Sequence, residues 1–422
     1  IKLKSYHPDL PLIRKNYAKY HDAVKRMDSR VGNVLKELEK SGLGKNTIVI
    51  YSSDHGGVLP RSKRYLYSSG LHCPLIIKIP EQFKNQWPDN QQGSTINRLV
   101  SFIDMPKTWL ALTGTMIPSN LQGRIFMGEQ EEEEPRYHYA FRGRMDERID
   151  NARAVHNKRF LYIRNYMPYV PWIQHLEYQW RIKAQVAWED HVKKGLASAV
   201  QSRPFYPKEY TEELYDMIKD PDCIYNLIDK TIHAELISEF RLALRDWQIK
   251  IYDAGLIPES EMVNLASRNN ITIYEMVRNK SLYPVQDLLD AADLALYRSD
   301  RNILQLQKLL SNSNIGIRYW GAIGLLLQDD YSQGTLLIKD SSDEIRAIGA
   351  WMLIKSGQTK EGINIFKDML YKNSYASLSI LNILDWINKD IPSSWLDLES
   401  LKYESGKDLD KMRNHLVKKW SK

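Results

Sequence analysis

Cysteine is almost missing from these 422 residues: only Cys73 and Cys223 are present, 150 positions apart and in segments without metal-type spacing. That removes a disulfide framework and a cysteine-based zinc site as organising devices, and it leaves the redox compartment open. Long apolar runs are missing too. No eighteen-residue apolar stretch could cross a bilayer, and no basic-then-apolar start reads as a signal peptide. The chain opens Ile1-Lys2-Leu3-Lys4 without an initiator Met, so we expect that something upstream was removed. No basic stripe interleaved with aromatics is found, which argues against nucleic acid. The formal charge of +7 is a mild excess, fitting a solvated basic surface or an anionic partner such as a sulfated polymer.

What is present reads as folded protein. With 43% hydrophobic and 26% charged residues the composition is globular, and the length predicts two or three domains. Residues 14 to 41 carry a helical period through Tyr17, Tyr20, Val24, Met27, Val31, Val34 and Leu38, a face expected to be buried. Gly42 stops that helix, and Thr47 to Tyr51 follows as an apolar strand. A second apolar strand, Leu75 to Ile79, suggests an α/β sheet buried on both faces, with the polar loop Ser53 to Pro74 between them.

Farther along, residues 97 to 113 read as a helix, and the glutamate run before Pro135 reads as an exposed, solvated connector. Arg153 to His156 and Phe160 to Arg164 flank Asn157-Lys158-Arg159 as a hairpin, within a small antiparallel subdomain over 136–230. From about 285 onward only helical pattern remains. Ile317-Arg318-Tyr319-Trp320-Gly321-Ala322 recurs as Ile345-Arg346-Ala347-Ile348-Gly349-Ala350, a 28-residue period that suggests HEAT-like pairs, an ordinary helical bundle being the alternative.

Ser52-Ser53-Asp54-His55-Gly56-Gly57 sits at the tip of the first strand, where ligands gather in such sheets. Asp54 and His55 offer an oxygen and a nitrogen to one divalent ion, and Gly56 lets the backbone turn sharply. The run Asn46 to Gly56 together with Lys63 to Pro74, KRYLYSSGLHCP, resembles the metal-binding strand and following segment of the sulfatases, which have an alkaline-phosphatase-like superfold. Tyr20 to Leu43, Val100 to Met105, Leu112 to Gly114, and Glu213-Leu214-Tyr215-Asp216 with Asp220-Pro221 and Asn226-Leu227 extend the similarity over residues 10 to about 230. Arg142 to Arg148 resembles a segment of bacterial sulfatases near the heparan N-sulfatase group.

The resemblance implies that Asp54 and His55 bind calcium and that Lys63 contacts the substrate sulfate. His72 is a second, weaker candidate facing the substrate, and Arg144 and Asp146 would line a sugar subsite, an exposed salt-bridged turn being the alternative for that segment. Negative charge builds on the sulfate oxygens as the ester leaves, so a cation and a fixed ammonium are the groups such chemistry wants. The family's formylglycine nucleophile arises in a C/S-x-P-x-R motif. No such motif occurs here, Cys73 being followed directly by Pro74, and the paired aspartates that complete the calcium site are missing as well. This chain alone is therefore expected to be inactive, with the nucleophile upstream.

The implied fold is α/β: a partial alkaline-phosphatase-like sheet flanked by helices over 1–135, a small antiparallel subdomain over 136–230, a helical connector over 231–284, and all-α HEAT-like repeats over 285–422. The implied activity is sulfuric ester hydrolysis on a sulfated carbohydrate, with periplasmic or secreted location expected by resemblance. Two other readings compete. A phosphodiesterase or phosphomutase of the same superfold would bind zinc at Asp54 and His55, although the Lys63 to Pro74 block and the closing motif argue against it. A non-catalytic scaffold would use the helical repeats to bind a protein partner.

Overall fold

The computed structural model describes residues 1–88, 92–387 and 391–421. Its first long element, α1 (Pro11–Lys40), begins with Pro at the first helical position, where no N–H is needed. Only Ile13 and Tyr17 of this helix are buried. They pack with Tyr6 and with Trp188 of the helix Lys183–Lys193. Beyond that turn the helix leaves the body of the protein, and Val24, Met27 and Val34 are exposed at 41%, 37% and 68%. The predicted burial of this face is therefore corrected: only its first turns are buried, and farther along Met27 takes just the Tyr51 hydroxyl at 3.1 Å.

The strand expectation needs a similar correction. Strands β1 (Val49–Ser52) and β2 (Leu75–Lys78) form a two-stranded antiparallel ribbon, Val49 opposite Lys78 and Ser52 opposite Leu75. Each alternates half-buried and exposed residues, and Ile76 is 63% exposed, so this sheet is not buried on both faces. A two-stranded ribbon has too few neighbours to cover either side.

The sheet that does organise this half is four-stranded and antiparallel, in the order β3 (His138–Arg142), β4 (Ala152–His156), β5 (Phe160–Asn165), β6 (Glu212–Asp216). The β4–β5 hairpin forms where the sequence indicates it, Asn157 Oδ1 accepting the N–H groups of Arg159 and Phe160 across the turn. Alternation splits its side chains between two cores. Val155, Tyr162 and Leu214 meet Ile237, Phe240 and Leu244 of the helix Ala234–Ile251. Ala154, Leu161, Ile163 and Tyr215 face the other way, onto Trp172, Trp188 and the aromatic residues Tyr65 and Tyr67 of the β1–β2 loop. That loop thus rests on the sheet.

Two local expectations shift. The helix near residue 100 spans Asp104–Leu112, seven residues shorter at its start than predicted, because the Asp104 carboxylate takes the N–H groups of Ser101 and Arg124 and fixes the chain before the helix. The glutamate run is not a merely solvated connector: Glu131 pairs with Arg98, Glu132 with Lys107 and the Ile125 N–H, and Glu134 with Lys158 and the Leu99 N–H.

The C-terminal third is helical. Val285–Leu296, Ile315–Leu327, Asp343–Lys355 and Ser377–Trp386 pack in succession, with Ile303–Leu309, Gly334–Leu337 and Thr359–Tyr371 between them. The two recurring hexapeptides open the second and third of these helices, each of which buries ten of its thirteen residues and so lies inside rather than on a surface. The repeated glycine has a steric cause. A Cβ on Gly349 would sit 2.7 Å from the Ile338 N and 2.8 Å from Leu337 Cβ, and one on Gly321 would sit 2.9 Å from Leu309 Cβ. The repeated arginine is also used: Arg318 reaches forward to Asp340 at 2.9 Å, joining one unit to the turn that starts the next.

This third is fastened to the sheet region by Arg148, which pairs with Asp385 at 2.7 Å, while Arg153 of β4 pairs at 2.7 Å with Asp253 of the preceding connector, both 6% exposed. Tyr166 meets Trp320, and Tyr169 meets Trp351 and Trp386.

Replacing Gly349 by Ala is expected to cost about 1–3 kcal/mol by overpacking. Gly32→Ala, in a helix with nothing within 4 Å, is expected to be neutral or to stabilise by up to about 1 kcal/mol. Urea unfolding of both variants checks this contrast. A pH dependence follows from Glu344, which accepts from Ser260 and Ser379 and is fully buried, so that desolvation raises its carboxyl from 4.5 to about 7. Its contribution is complete below pH 4.5 and is lost as pH rises to about 7, because the unfolded chain releases the proton first. Thermal unfolding across that window should show the decline, and Glu344→Gln should flatten it.

Candidate functional site

Strand β1 delivers a tight turn at its end. The Ser53 hydroxyl donates to the His55 carbonyl at 2.9 Å, leaving the Asp54 carboxylate 88% exposed beside the His55 ring, with Oδ1 3.5 Å from Nε2. His55 Nδ1 lies 2.6 Å from the Gly56 carbonyl, which can only accept, so Nδ1 carries the proton and the Nε2 lone pair stays available. Gly56 is required by a close approach: its N–H donates to Gly70 at 3.0 Å, and a Cβ there would fall 2.1 Å from the Ser69 carbonyl.

This turn fits a divalent cation as part of a site. Two donors 3.5 Å apart have the spacing of adjacent ligands on one ion at roughly 2.4 Å each. Among the described residues no group of three or more His, Cys, Asp or Glu side chains could hold a metal, so these two would need other donors.

Lys63 lies on a loop folded back onto the same turn, its N–H donating to the Gly57 carbonyl at 3.0 Å. It forms no salt bridge or side-chain hydrogen bond with any described residue. Its neighbours explain how an unpaired ammonium is held. Arg61 and Arg64 both take positive φ, 58° and 84°, a strained choice for residues with a Cβ. The Arg61 guanidinium is buried between the Tyr6 and Tyr67 rings, 4.2 and 3.9 Å from their centres, and donates to the Asp222 and Cys223 carbonyls, both at 2.9 Å. Arg64 forms an ion pair with Asp146. Behind them, the Lys4 N–H donates to Tyr17 OH, which donates to His7 Nδ1, and His7 Nε2 donates to the Pro60 carbonyl at 3.0 Å. Burial drives the His7 pKa down to about 3, keeping that relay neutral.

The residues singled out from sequence are only partly gathered. Asp54, His55 and Lys63 belong to one turn and the loop closed on it. His72 follows on the segment that Gly56 and Gly70 draw in, is exposed, and lies near half-buried His156, whose pKa falls to about 4 through desolvation and then through His138 and His72. Arg144 pairs with Glu259 and, at 2.7 Å, with Asp408 of the helical third. Asp146 is committed to Arg64. Sequence reasoning missed Arg61 and Arg64, although Pro60-Arg61-Ser62-Lys63-Arg64 places three cations in four residues. The polar residues of the closing motif serve turns: Asp220 takes the Ile224 and Tyr225 N–H groups, and Asn226 takes that of Leu214.

Comparison with known proteins adds to this geometry. Residues 4–115 match the family model described as "Sulfatase", and residues 60–177 match "N-sulphoglucosamine sulphohydrolase, C-terminal". An "Ulvan-active sulfatase" of Formosa agariphila is 35% identical over 259 residues, 61% of this chain and 42% of that protein. The human "N-sulphoglucosamine sulphohydrolase" is 27% identical over 263 residues, 58% of this chain and 50% of its own. The chain thus spans half or less of the length of these relatives. A protein solved in complex with its substrate D-glucosamine-2-N,6-O-disulfate overlays at TM-score 0.38 and 22% identity, covering 53% of this chain and 38% of that one, too loosely to fix the fold.

If Asp146 serves the ion pair, Asp146→Ala should destabilise the chain by about 3 kcal/mol, because it strands a buried guanidinium. Chemical denaturation measures this; unchanged stability would free Asp146 for a substrate role.

Proposed function

We propose, from the matches of residues 4–115 and 60–177 to sulfatase-type family models, that the whole protein hydrolyses a sulfate ester on a sulfated carbohydrate. The observation that carries the reading is the turn joining Asp54, His55 and Lys63: two donors 3.5 Å apart at a strand tip, and an unpaired ammonium on a loop pinned by buried arginines. The naming of relatives as ulvan-active and N-sulphoglucosamine enzymes supports an anionic glycan as substrate class.

In this proposal Asp54 and His55 are two ligands of a divalent cation, calcium by family resemblance, which would supply Lewis-acid polarisation of the sulfate oxygens. Lys63 holds a sulfate oxygen as a compact positive charge whose position is set before substrate arrives. His72 stands at the exposed edge as a substrate contact. Arg144 and Asp146 support the site through their ion pairs rather than by touching sugar. The formylglycine and the remaining metal ligands would come from sequence outside these 422 residues, so the chain by itself is proposed to be inactive. Residues 285–422, read as HEAT-like pairs, buttress the sheet, since Arg148, Tyr166 and Tyr169 are spent on that contact.

In the whole protein, Lys63→Ala is expected to lower kcat/KM toward a sulfated sugar at least about 100-fold, while stability changes by less than about 0.5 kcal/mol. Steady-state kinetics beside thermal unfolding tests it. Parallel loss of folding and turnover would reduce Lys63 to a structural residue.

A further inference from the structure

Beneath the Lys63 loop lies a cavity of about 160 Å³, walled by Tyr6, Tyr67 and Trp172 and by the helical segment after residue 198. Its ten lining residues include two arginines, Arg61 and Arg203, and no carboxylate. Neither guanidinium forms a salt bridge with a described residue. Arg61, 5% exposed, donates to two backbone carbonyls, and Arg203 donates to the Ile224 carbonyl and to Tyr215 OH. Each guanidinium carries five N–H bonds, so both keep donors that the protein does not satisfy.

The groups that could neutralise this pair are engaged elsewhere or uncharged. Glu213 accepts from Tyr215 OH at 2.6 Å, from Tyr67 OH at 3.2 Å and from Asn165 at 2.8 Å, standing behind the tyrosines rather than in the cavity wall. Asp222 is taken by Lys4 and Ser5. Cys223 lines the cavity, but burial pushes its thiol up to about 11, so it stays protonated at neutral pH. Arg61 is buried and Arg203 half-buried, and both line one small space whose own walls carry no acid, so an anion entering it would be stabilised by both.

We infer that this cavity is a binding site for a small tetrahedral oxyanion, sulfate or phosphate, held between Arg61 and Arg203. Guanidinium edges match the paired oxygens of such an ion, and the aromatic walls exclude competing water. The site is distinct from the contact proposed for Lys63 and does not depend on that reading. An ion seated here ties the loop holding Lys63 to the segment 203–224, so occupancy would stiffen the loop from below.

The test uses the chain of 422 residues and inorganic sulfate, titrated by calorimetry and by thermal shift against chloride at matched ionic strength. A saturable response is expected, weakened roughly tenfold or more by Arg203→Gln. Because that variant loses the Tyr215 contact and could unfold, Ala199→Leu provides the second arm: it fills the cavity, keeps both charges, and is expected to abolish saturable binding. Lys63→Ala should leave the response intact. Absence of saturable binding, binding unchanged in both cavity variants, or binding lost only in Lys63→Ala would each overturn the inference. Repeating the titration with phosphate and with glucosamine 6-sulfate identifies the source: tighter binding of the free ions marks an inorganic anion site, and tighter binding of the sugar marks a glycan terminus as the donor.

Discussion

The Arg61 guanidinium between the Tyr6 and Tyr67 rings joins three stretches far apart in sequence: the N-terminal turn, the β1–β2 loop and the segment after β6. A guanidinium can be buried this way because its faces stack on aromatic rings while its edges find backbone carbonyls, so charge and hydrogen bonding are met in different directions. The strained φ at residues 61 and 64 is tolerated because both side chains are over-determined by their partners. Lys63 is presented by that constraint, and its own contacts contribute little.

The same device recurs toward the helices. Arg148 ends on Asp385 of the helical third and Arg153 on Asp253 of the connector before it, while aromatic pairs fill the space between. Removing one member of such a pair strands a buried charge, so these contacts fix geometry more firmly than their modest net energies suggest. The helical core meets the sheet region through Tyr166 and Tyr169 just past β5, and β4 and β5 in turn divide the two cores on either face of the sheet, one of which holds the loop.

Much of this was legible in the sequence, and the exceptions have physical reasons. The strand and Asp-His-Gly turn, the Asn157 hairpin and the recurring Gly–Ala helices were readable because each is set by local chemistry: β-branching, a turn-forming amide, a small residue where another helix closes in. Failures occurred where the answer depends on what lies across space. The period of α1 predicted a buried face, yet Val24 and Val34 are exposed. The glutamate run looked solvated because its partners Arg98, Lys107 and Lys158 come from elsewhere in the chain. Arg61 and Arg64 resembled ordinary surface cations, since sequence does not reveal which arginine will find two aromatic faces.

The span closed by Arg61 bears on synthesis. Its guanidinium bonds reach carbonyls 161 and 162 positions downstream, so the ordering of the loop is a late, high-contact-order event. During translation the nascent loop would wait, tethered only locally, until the ribosome has released residues 222 and 223. A stalled product ending before that point would hold every residue of the Asp54–Lys63 turn and lack the clasp that shapes it.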